Sequence, residues 1–354
     1  MDVLIVSLGA TAGLRAVDDE LLASLRRAGA SADIVRPEPP APVRTLMFTD
    51  LRWALAARRA AAVELTRTRA QALIYSTTTA ALLWRRAGAI RFDAPAAANR
   101  RGRHGLWQRP LERRRLREAP LLLPQSEGAL LEIPAAVRDA RPLGSALVLP
   151  VPVEPSGPHE SPPLRETGTA SESHAMRDIA AITYAANPNK KGLDIVLDAW
   201  RGARKPGEEL LVAGVEEREL LSLGYELPAS GVRVTGVLAH EDYRALLRRA
   251  RAYVCAARRE DYGIAQLEAL ADGCMLVTTR SPGAYAALEL ARELDRRLVA
   301  ESFAAADLGM ALRFALDDPL PGYAQSALDA LVPFRRKAAD RLVAERLLPA
   351  LLGR

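Results

Sequence analysis

Short apolar runs alternate with helical segments along this chain, and glycine-containing turns follow several of the runs. The first unit is an apolar run at residues 3–7, followed by Gly9 and Gly13 and then by helical periodicity over residues 19–28. A buried strand, a glycine turn and a helix in this order are typical of the start of a Rossmann-like unit. The repeated alternation predicts an α/β fold whose parallel sheets are covered by helices on both faces.

The alternation is interrupted once and then starts again. Residues 155–178 are rich in Pro, Ser, Glu and Gly and have no apolar period, so we predict a linker or flexible loop there. This segment separates a Rossmann-like domain at residues 1–154 from a second one at residues 179–332, and residues 333–354 form a final helix. A chain of 354 residues has the length of about two domains.

The apolar pattern places the elements as follows. In the first half the predicted strands are residues 3–7, 32–35, 72–75, 91–92, 121–123 and 147–149, and the predicted helices are residues 19–28 and 51–69. In the second half the predicted strands are residues 179–185, 209–213, 232–235, 252–256 and 275–278, and the predicted helices are residues 193–200, 243–249 and 264–271.

The composition says more about the cellular environment of the protein than about its binding partner. The formal charge is +6, and arginine supplies nearly all the positive charge because the chain has four lysines. An arginine-rich codon bias explains this as well as an anionic partner does. Cys255 and Cys274 show no metal-ligand spacing and no disulfide framework, which is typical of a reducing cytoplasm. We found neither a signal peptide nor a run of about 18 apolar residues, so we expect a cytoplasmic protein, at most peripheral at the inner face of a membrane.

The densest basic run covers residues 100–117 and carries Leu106, Trp107 and Leu111 between its arginines. Such a segment can rest on an anionic membrane surface. It can also bind an anionic acceptor or be a solvated helix face. Nucleic acid is a poor candidate, because aromatic residues are few and no known reader module is present.

The strongest signal for chemistry follows a predicted strand that ends at Ala256. Glu260 lies in a polar turn, Gly263 gives backbone freedom, and a helix begins near Ile264. The N-terminus of a helix offers free N–H groups and a positive dipole end to a phosphate. The carboxyl end of a strand is where open α/β sheets bind ligands. A solvated loop acid is the alternative interpretation of Glu260.

Helical spacing puts Glu268 on the same stripe as Ile264, Leu267 and Ala271. A carboxylate on a buried stripe is costly unless it is hydrogen-bonded, and the hydroxyls of a ribose are suitable donors. The alternatives are a partly exposed helix residue or a carboxylate paired with an arginine.

The segment from Glu260 to Glu268 resembles the E-x7-E signature of retaining transferases of the GT-B type, and of glycosyltransferase family 4 in particular. The family pattern is similar to E-G-F-G-x-P-x-x-E-A-M-A-x-G, and Ala265 stands at its proline. The resemblance implies that Glu260 contacts the transferred hexose and Glu268 the ribose. It also implies that the backbone of Gly263 and Ile264 faces the diphosphate and the sugar.

A second segment, residues 187–194, resembles the family pattern G-R-L-x-x-x-K-G-x-D. Lys191, at the start of a predicted helix, then contacts the diphosphate as a point charge. An ordinary basic turn is the alternative. The family's arginine corresponds to Ala186, so one of two expected phosphate cations is missing. Residues 232–237 resemble the strand whose following loop, here Gly236 and Val237, receives the base.

The first half resembles the family less closely. Asp93 lies where family members carry a His-Asp pair at the sugar, but Phe92 replaces the histidine. Asp93 orients a sugar hydroxyl in this interpretation and is a turn acid before Pro95 in the alternative. Gly9 and Gly13 let the first loop approach the diphosphate, or serve only the turn.

The resemblance implies two Rossmann-like domains that face each other across a cleft, with the C-terminal helix packed back toward the N-terminal domain. It implies a retaining transfer of a hexose from a nucleoside-diphosphate sugar to the hydroxyl of a glycan, lipid or small molecule. No metal and no cofactor beyond the donor substrate are expected. The alternative, motivated by Ala186 and Phe92, is a catalytically impaired domain that binds nucleotide sugars or a partner.

Overall fold

The structure is a computed structural model that describes residues 1–41, 43, 45–100, 102–157, 177–228, 230–283 and 285–353. It divides into two compact units. The first combines Met1–Pro152 with Phe334–Arg354, and the second is Val153–Pro333. Most of the predicted linker, residues 158–176, lies outside the described residues.

The first unit contains a five-stranded parallel sheet in the order β2-β1-β3-β4-β5. Its strands are β1 (Val3–Val6), β2 (Ala32–Val35), β3 (Ala72–Tyr75), β4 (Ala89–Phe92) and β5 (Leu122–Pro124). Its helices are α1 (Ala12–Arg27), α2 (Leu46–Thr68), α3 (Thr78–Ala81), α4 (Ala96–Asn99), a 3-10 turn (Gly102–Gly105), α5 (Gln108–Glu118), α6 (Glu127–Leu131) and α7 (Ala135–Arg138).

The second unit contains a six-stranded parallel sheet in the order β11-β10-β9-β6-β7-β8. Its strands are β6 (Ile179–Tyr184), β7 (Leu210–Ala213), β8 (Val232–Gly236), β9 (Ala250–Cys255), β10 (Met275–Thr279) and β11 (Val299–Ala300). Its helices are α8 (Pro188–Lys191), α9 (Leu193–Ala203), α10 (Glu217–Ser222), α11 (His240–Arg249), α12 (Ile264–Ala271), α13 (Ala286–Leu294), a 3-10 turn (Arg296–Leu298), α14 (Ala305–Asp317) and α15 (Tyr323–Ala330).

The remaining elements are at the C-terminus and return to the first unit. They are a 3-10 turn (Val332–Phe334), α16 (Arg336–Leu342), a π-helical turn (Val343–Leu347) and α17 (Leu348–Leu352). The predicted single helix is therefore interrupted. Pro349 lacks an N–H, and its ring opposes the carbonyl group four residues earlier, which accounts for the wider turn.

Alternate residues of the first sheet face two different helical layers. Val3 and Ile5 pack against α1 and against Val343 and Leu347 of the C-terminal helix, whereas the intervening residues face α2 and α5. Asp340 also accepts hydrogen bonds from Ser24 and Arg27 of α1. The prediction that the C-terminal helix packs back onto the N-terminal domain is confirmed, as is the α/β class with two parallel sheets.

Two predictions about the first unit are wrong. The side chain of Thr11 accepts a hydrogen bond from the Leu14 N–H at 3.1 Å, and this cap starts α1 at Ala12 rather than at residue 19. Gly13 therefore lies in the first turn of a helix and not in the loop. Residues 147–149 are extended beside β5 and bond to it only through every second N–H, with an isolated bridge at Ala146 instead of a strand.

The inner strands of the second sheet are buried on both faces, because helices cover them above and below, whereas the edge strand β8 is partly exposed. β7 and β10 are buried at every residue, as expected of the nearly continuous apolar runs of parallel strands. None of the helices in the described ranges is both long and apolar enough to cross a membrane.

Candidate active site

Two loops meet at the centre of the second sheet, one after β6 and the other after β9. These strands are neighbours in the sheet, although β7 and β8 lie between them in the sequence. The strand order therefore reverses at this position, and open parallel sheets bind ligands outside the carboxyl ends of the strands there. Both loops carry residues that the sequence analysis predicts for the donor site.

The loop after β6 is shaped by a capped turn and a glycine. The Asn187 side chain accepts a hydrogen bond from the Lys190 N–H at 3.0 Å and starts α8, which ends at Lys191. Gly192 follows with φ of 63°, and a Cβ atom there would lie 2.0 Å from the carbonyl oxygen of Ala256. Because only glycine fits both the conformation and the contact, this residue lets the lysine loop lie against the end of β9.

Lys191 and Glu260 are in direct contact, with Lys191 Nζ 2.7 Å from Glu260 Oε2. Backbone hydrogen bonds hold the two loops in place: the Arg258 N–H donates to the Lys190 carbonyl at 2.9 Å, and the Glu260 N–H to that of Pro282 at 3.0 Å. The Lys191 side chain is 25% exposed and that of Glu260 is 9% exposed. Two residues predicted from separate segments are thus brought together, and the lysine is the more accessible of them.

Helix α12 begins immediately after this pair. Gly263 precedes it with φ of 82°, and a Cβ atom there would lie 2.2 Å from Gln266 Oε1. The first N–H groups of a helix have no partner within the helix and lie at its positive end. Ile264 is exposed, whereas Leu267 and Ala271 are buried. The prediction of one buried stripe is wrong at Ile264, whose side chain is exposed although Gln266 and Leu267 of the same turn are buried.

Glu268 lies one turn further along α12, with its side chain 12% exposed. Its Oε1 atom is 2.8 Å from His240 Nε2 and 3.8 Å from a terminal nitrogen of Arg244. The arginine makes its closer contact with Asp272, at 2.6 Å. The carboxylate is therefore hydrogen-bonded, as predicted for an acid in this position, but its near partner is a histidine at the surface.

The loop after β8 carries Gly236 and Val237. Gly236 has φ of 75°, and a Cβ atom there would lie 3.0 Å from Glu216 Oε1. The same carboxylate accepts a hydrogen bond from the Val237 N–H at 3.2 Å, while the Val237 side chain is exposed. Glu216, which follows β7, therefore fixes the backbone of the predicted base loop.

Three polar residues of this region were missed by sequence reasoning, namely His240, Arg244 and Glu216. The sequence predicts a helix that begins at residue 243, whereas the structure begins α11 at His240. The acids Glu241 and Asp242 in the first turn of that helix are the signal that marks its start. Glu216 could have been found from its place just after a buried strand.

The other cations of the two loops are each paired with an acid. Lys190 Nζ is 3.5 Å and Arg259 Nε 2.7 Å from the carboxylate of Asp261. Arg258 is 2.6 Å from Asp194. Ala186 adds no charge to the site. Lys191 differs from Lys190 because its partner, Glu260, is itself a predicted site residue.

The predicted residues of the first unit lie at the carboxyl edge of its own sheet. Asp93 follows β4, is exposed, and accepts a hydrogen bond from the Ala94 N–H at 2.8 Å, as a turn acid does. Gly9 follows β1 with φ of 59°, and its carbonyl accepts a hydrogen bond from Arg15 at 2.7 Å. Beside Gly13 there is open space where a Cβ atom would be.

A buried polar cluster lies beneath the Gly9 loop. Ser7 Oγ accepts a hydrogen bond from the Gly9 N–H at 3.1 Å and donates one to Asp18 at 2.5 Å. Arg91 lies 3.6 Å from the same carboxylate, and burial raises the pKa of Asp18. This cluster anchors the loop to the sheet, and sequence reasoning identified Arg91 only as a strand residue.

Both cysteines are buried free thiols. Burial raises the pKa of Cys255, and it raises the pKa of Cys274 to about 12. Neither is a thiolate near neutral pH, so neither is suited to nucleophilic or metal-binding chemistry. Within the part of the chain that the structure describes, no group of three or more His, Cys, Asp or Glu side chains is arranged to hold a metal ion.

The fold is that of GT-B glycosyltransferases. The chain is similar to WaaG, a glycosyltransferase involved in lipopolysaccharide biosynthesis, with 16% identity, full coverage of both chains and a TM-score of 0.68. It is similar to HepE of Anabaena in complex with UDP and glucose, with 14% identity over 98% of this chain and 99% of that chain and a TM-score of 0.67. A third similar structure is the sucrose-phosphate synthase of Thermosynechococcus elongatus, with 15% identity, 97% coverage of each chain and a TM-score of 0.68.

Part of the sequence also matches a family of glycosyltransferases. Residues 165–329, which make up most of the second unit, match the family described as glycosyl transferases group 1. No curated protein sequence matches the chain. The protein is a transferase enzyme with the GT-B fold, and the segment that matches the group 1 family contains the Lys191–Glu260 pair.

Proposed function

We propose that the protein transfers a hexosyl group from a nucleoside-diphosphate sugar to a hydroxyl acceptor, with retention of anomeric configuration, as in glycosyltransferase family 4. The observation that carries this proposal is the contact between Lys191 and Glu260 beside the start of α12. Structures of HepE, a protein with a similar fold, contain UDP-glucose, which supports a nucleotide sugar as the donor.

Each group of the site has a role in this proposal. Lys191 and the first N–H groups of α12, at Gly263 and Ile264, bind the diphosphate, because both present positive charge to it. Glu260 accepts a hydrogen bond from a hydroxyl of the hexose, and Glu268 accepts one from the ribose. The backbone of the Gly236–Val237 loop contacts the base of the nucleotide. In this arrangement the exposed Val237 side chain lies beside the ring of the base.

The chemistry is mainly stabilisation of charge on the leaving group. The bond between the anomeric carbon and the diphosphate oxygen breaks, and a bond from the acceptor oxygen forms on the same face. The acceptor proton passes to the leaving phosphate oxygen. Lys191 and the helix N-terminus stabilise the charge that develops there, so the transfer proceeds without a bound metal or a further cofactor.

We assign the acceptor to the first unit. Asp93 is exposed after β4 and orients a sugar hydroxyl in this proposal, and the resemblance assigns Gly9 and Gly13 to the diphosphate. The acceptor is a hydroxyl of a glycan, a lipid or a small molecule.

A donor screen tests the binding half of the proposal. Thermal unfolding is measured with UDP, GDP and ADP and their sugars, first for the wild type and then for Glu268→Ala. A ligand at about 100 times its Kd stabilises the folded state by about 2.7 kcal/mol, so we expect a clear rise in Tm for one nucleotide in the wild type. That rise should be lost in Glu268→Ala, because the ribose loses its acceptor.

Two further variants make this screen specific. Glu268→Gln keeps the shape of the side chain and separates loss of charge from loss of packing. Glu289→Ala removes an acid of α13 that is 66% exposed and pairs with Arg292, and it should respond to ligand like the wild type. A Glu268→Ala protein that shifts as much as the wild type would contradict the ribose contact.

We also propose that the first unit rests on an anionic membrane surface through residues 100–117. Leu106 is 62% exposed, and Arg103, Arg113 and Arg117 of the same segment are also exposed. The acid of this segment that would repel such a surface, Glu112, is buried. The remaining arginines include several that bond within the unit, at residues 100, 109, 114 and 115.

Vesicle sedimentation tests this proposal. Each arginine near an anionic surface contributes about 1 kcal/mol, so the triple change of Arg103, Arg113 and Arg117 to Gln should weaken binding to anionic vesicles about 100-fold. High salt should have a similar effect. The control variant loses the same number of positive charges elsewhere: in the second unit Arg201, Arg280 and Arg292 are changed to Gln. Equal binding by the two triple variants, or binding to neutral vesicles, would exclude this surface.

A further inference from the structure

His240 has no part in the proposed function, yet it touches one of its residues. It is the first residue of α11, three residues after Val237 of the predicted base loop. Its Nε2 atom is 2.8 Å from Glu268 Oε1. The His240 side chain is 67% exposed while that of Glu268 is 12% exposed, so the imidazole covers the solvent side of the carboxylate.

Among the described residues, the two cationic side chains nearest to Glu268 approach the same oxygen, Oε1. They are His240 and the more distant Arg244. A carboxylate has about four lone-pair positions on its two oxygens. His240 therefore fixes the orientation of the group and leaves Oε2 to accept a hydrogen bond from a ligand.

Several charged groups surround the imidazole of His240. Among these groups and the imidazole, it is the imidazole that changes its charge near neutral pH. Glu268 faces it from α12, and Asp272 at the end of α12 is paired with Arg244. On its own helix Glu241 and Asp242 share the first turn, and Glu216 is held at the Val237 N–H. The hydrogen bond to Glu268 is the main cause of a raised pKa of His240.

The imidazole lies close to the proposed diphosphate position. Glu268 is four residues from the start of α12, which is about 6 Å along a helix axis. The Glu268 side chain and one hydrogen bond of 2.8 Å separate the imidazole from that axis. A charge on the ring is therefore about 10 Å from the helix N-terminus, which is about one Debye length at physiological salt.

We infer that His240 is a positioning residue for the nucleotide sugar: it holds Glu268 through Oε1, and its imidazolium strengthens binding of the anionic donor as the pH falls. This inference rests on the ribose role proposed for Glu268. Because an anion favours the protonated ring, the added affinity is fully present below the pKa of His240 and is lost as the pH rises through that value. Screened attraction over about 10 Å by two phosphate charges gives an effect of about five-fold.

The first experiment measures Kd against pH for the nucleotide sugar that gives the largest shift in the donor screen. A nucleotide sugar is the right probe because its diphosphate diester does not titrate near neutrality. We expect the wild type to bind about five-fold more tightly at the acidic end, and His240→Gln, which keeps a donor but no charge, to bind independently of pH. His240→Ala should also be independent of pH and bind more weakly, because Glu268 is no longer held.

The outcomes separate the inference from the function on which it rests. Failure of the wild type to bind any nucleotide sugar at any pH overturns the proposed function and this inference together. Binding that is independent of pH in the wild type, or equally pH-dependent in His240→Gln, overturns the inference alone. Affinity that decreases toward acid also overturns it, because the imidazolium would then compete with the ribose for Glu268.

A second experiment follows the ring itself. The imidazole resonance of His240, assigned by its loss in His240→Gln, is titrated by NMR in the wild type and in Glu268→Gln. The pKa should be lower in Glu268→Gln, and it should rise in the wild type when the nucleotide sugar is bound. An unchanged pKa in both comparisons would show that the contact does not act on the ring, and the inference would be wrong.

Discussion

Replacing Lys191 by methionine is expected to lower the rate of sugar transfer by about 100- to 1000-fold, the loss that follows removal of one group that stabilises a developing anion. Methionine keeps most of the side-chain volume and removes the charge that faces the leaving diphosphate. The rate is measured as release of free nucleotide in the presence of donor. Donor binding, followed by thermal shift, should weaken much less than the rate, because the charge on the leaving oxygen is greatest in the transition state.

The adjacent lysine is a matched control. Lys190 is on the same turn, but its side chain is 49% exposed and its Nζ atom is 3.5 Å from Asp261. Lys190→Met should therefore retain most of the activity. Equal losses in the two variants would show that general positive charge, and not the position of Lys191, is what the loop supplies.

Loss of Lys191 also leaves Glu260 without its partner. The carboxylate is 9% exposed, and a buried charge that loses its partner destabilises a protein. The double variant Lys191→Met with Glu260→Gln removes this effect and should unfold near the wild-type temperature while remaining inactive. A protein that binds donor as before but never releases nucleotide, even as the wild type, would instead be the impaired binding module that Ala186 suggests.

The sheets and the central site could be predicted from the sequence because both depend on local patterns. Strands that are buried on both faces appear in the sequence as continuous apolar runs, and β7 and β10 are examples. Lys191 and Glu260 follow two strands that the topology makes neighbours at the position where the strand order reverses. The contact between them follows from the order of the strands. The family resemblance and the general rule that ligands bind at the carboxyl ends of parallel strands therefore predict the same residues.

The remaining features depend on contacts between distant elements. Ile264 has the spacing of a buried residue, but its side chain is exposed while Gln266 of the same turn is buried. His240 touches Glu268 only because α11 and α12 pack together. In α5 the buried face contains Gln108, Glu112 and Leu116, two of which are polar. A hydrophobic pattern cannot show a buried face of that kind, and the segment was interpreted only as a basic surface.

Glu112 is the residue of that face with the largest expected effect on stability. Both oxygens of its carboxylate accept a hydrogen bond from the Ala96 N–H, at 2.9 and 2.8 Å. Ala96 begins α4, three residues after Asp93, so the carboxylate caps the helix that follows the proposed acceptor loop. Burial raises the pKa of Glu112 from 4.5 to about 7, although hydrogen bonds from Ala96 and Thr78 oppose the rise.

The direction of the pH dependence follows from this raised pKa. The folded protein holds the proton of Glu112 more tightly than the unfolded chain does, so this contribution to stability is fully present below about pH 4.5. It decreases as the pH rises and is gone above about pH 7. The shift corresponds to about 3 kcal/mol of the free energy of unfolding of the first unit.

Glu112→Gln should remove this dependence, because an amide cannot ionise and its oxygen still accepts a hydrogen bond from Ala96. We expect the variant to be more stable than the wild type above neutral pH by up to about 3 kcal/mol and similar to it in acid, as measured by calorimetric Tm values across this range. Glu118→Gln is the control on the same helix, since Glu118 is paired with Arg114 and its pKa is lowered. Parallel Tm curves for the wild type and Glu112→Gln would show that Glu112 stays ionised in the folded protein. A difference that grows with pH would instead show that the helix after Asp93 is capped by a carboxyl group that changes its charge near neutral pH.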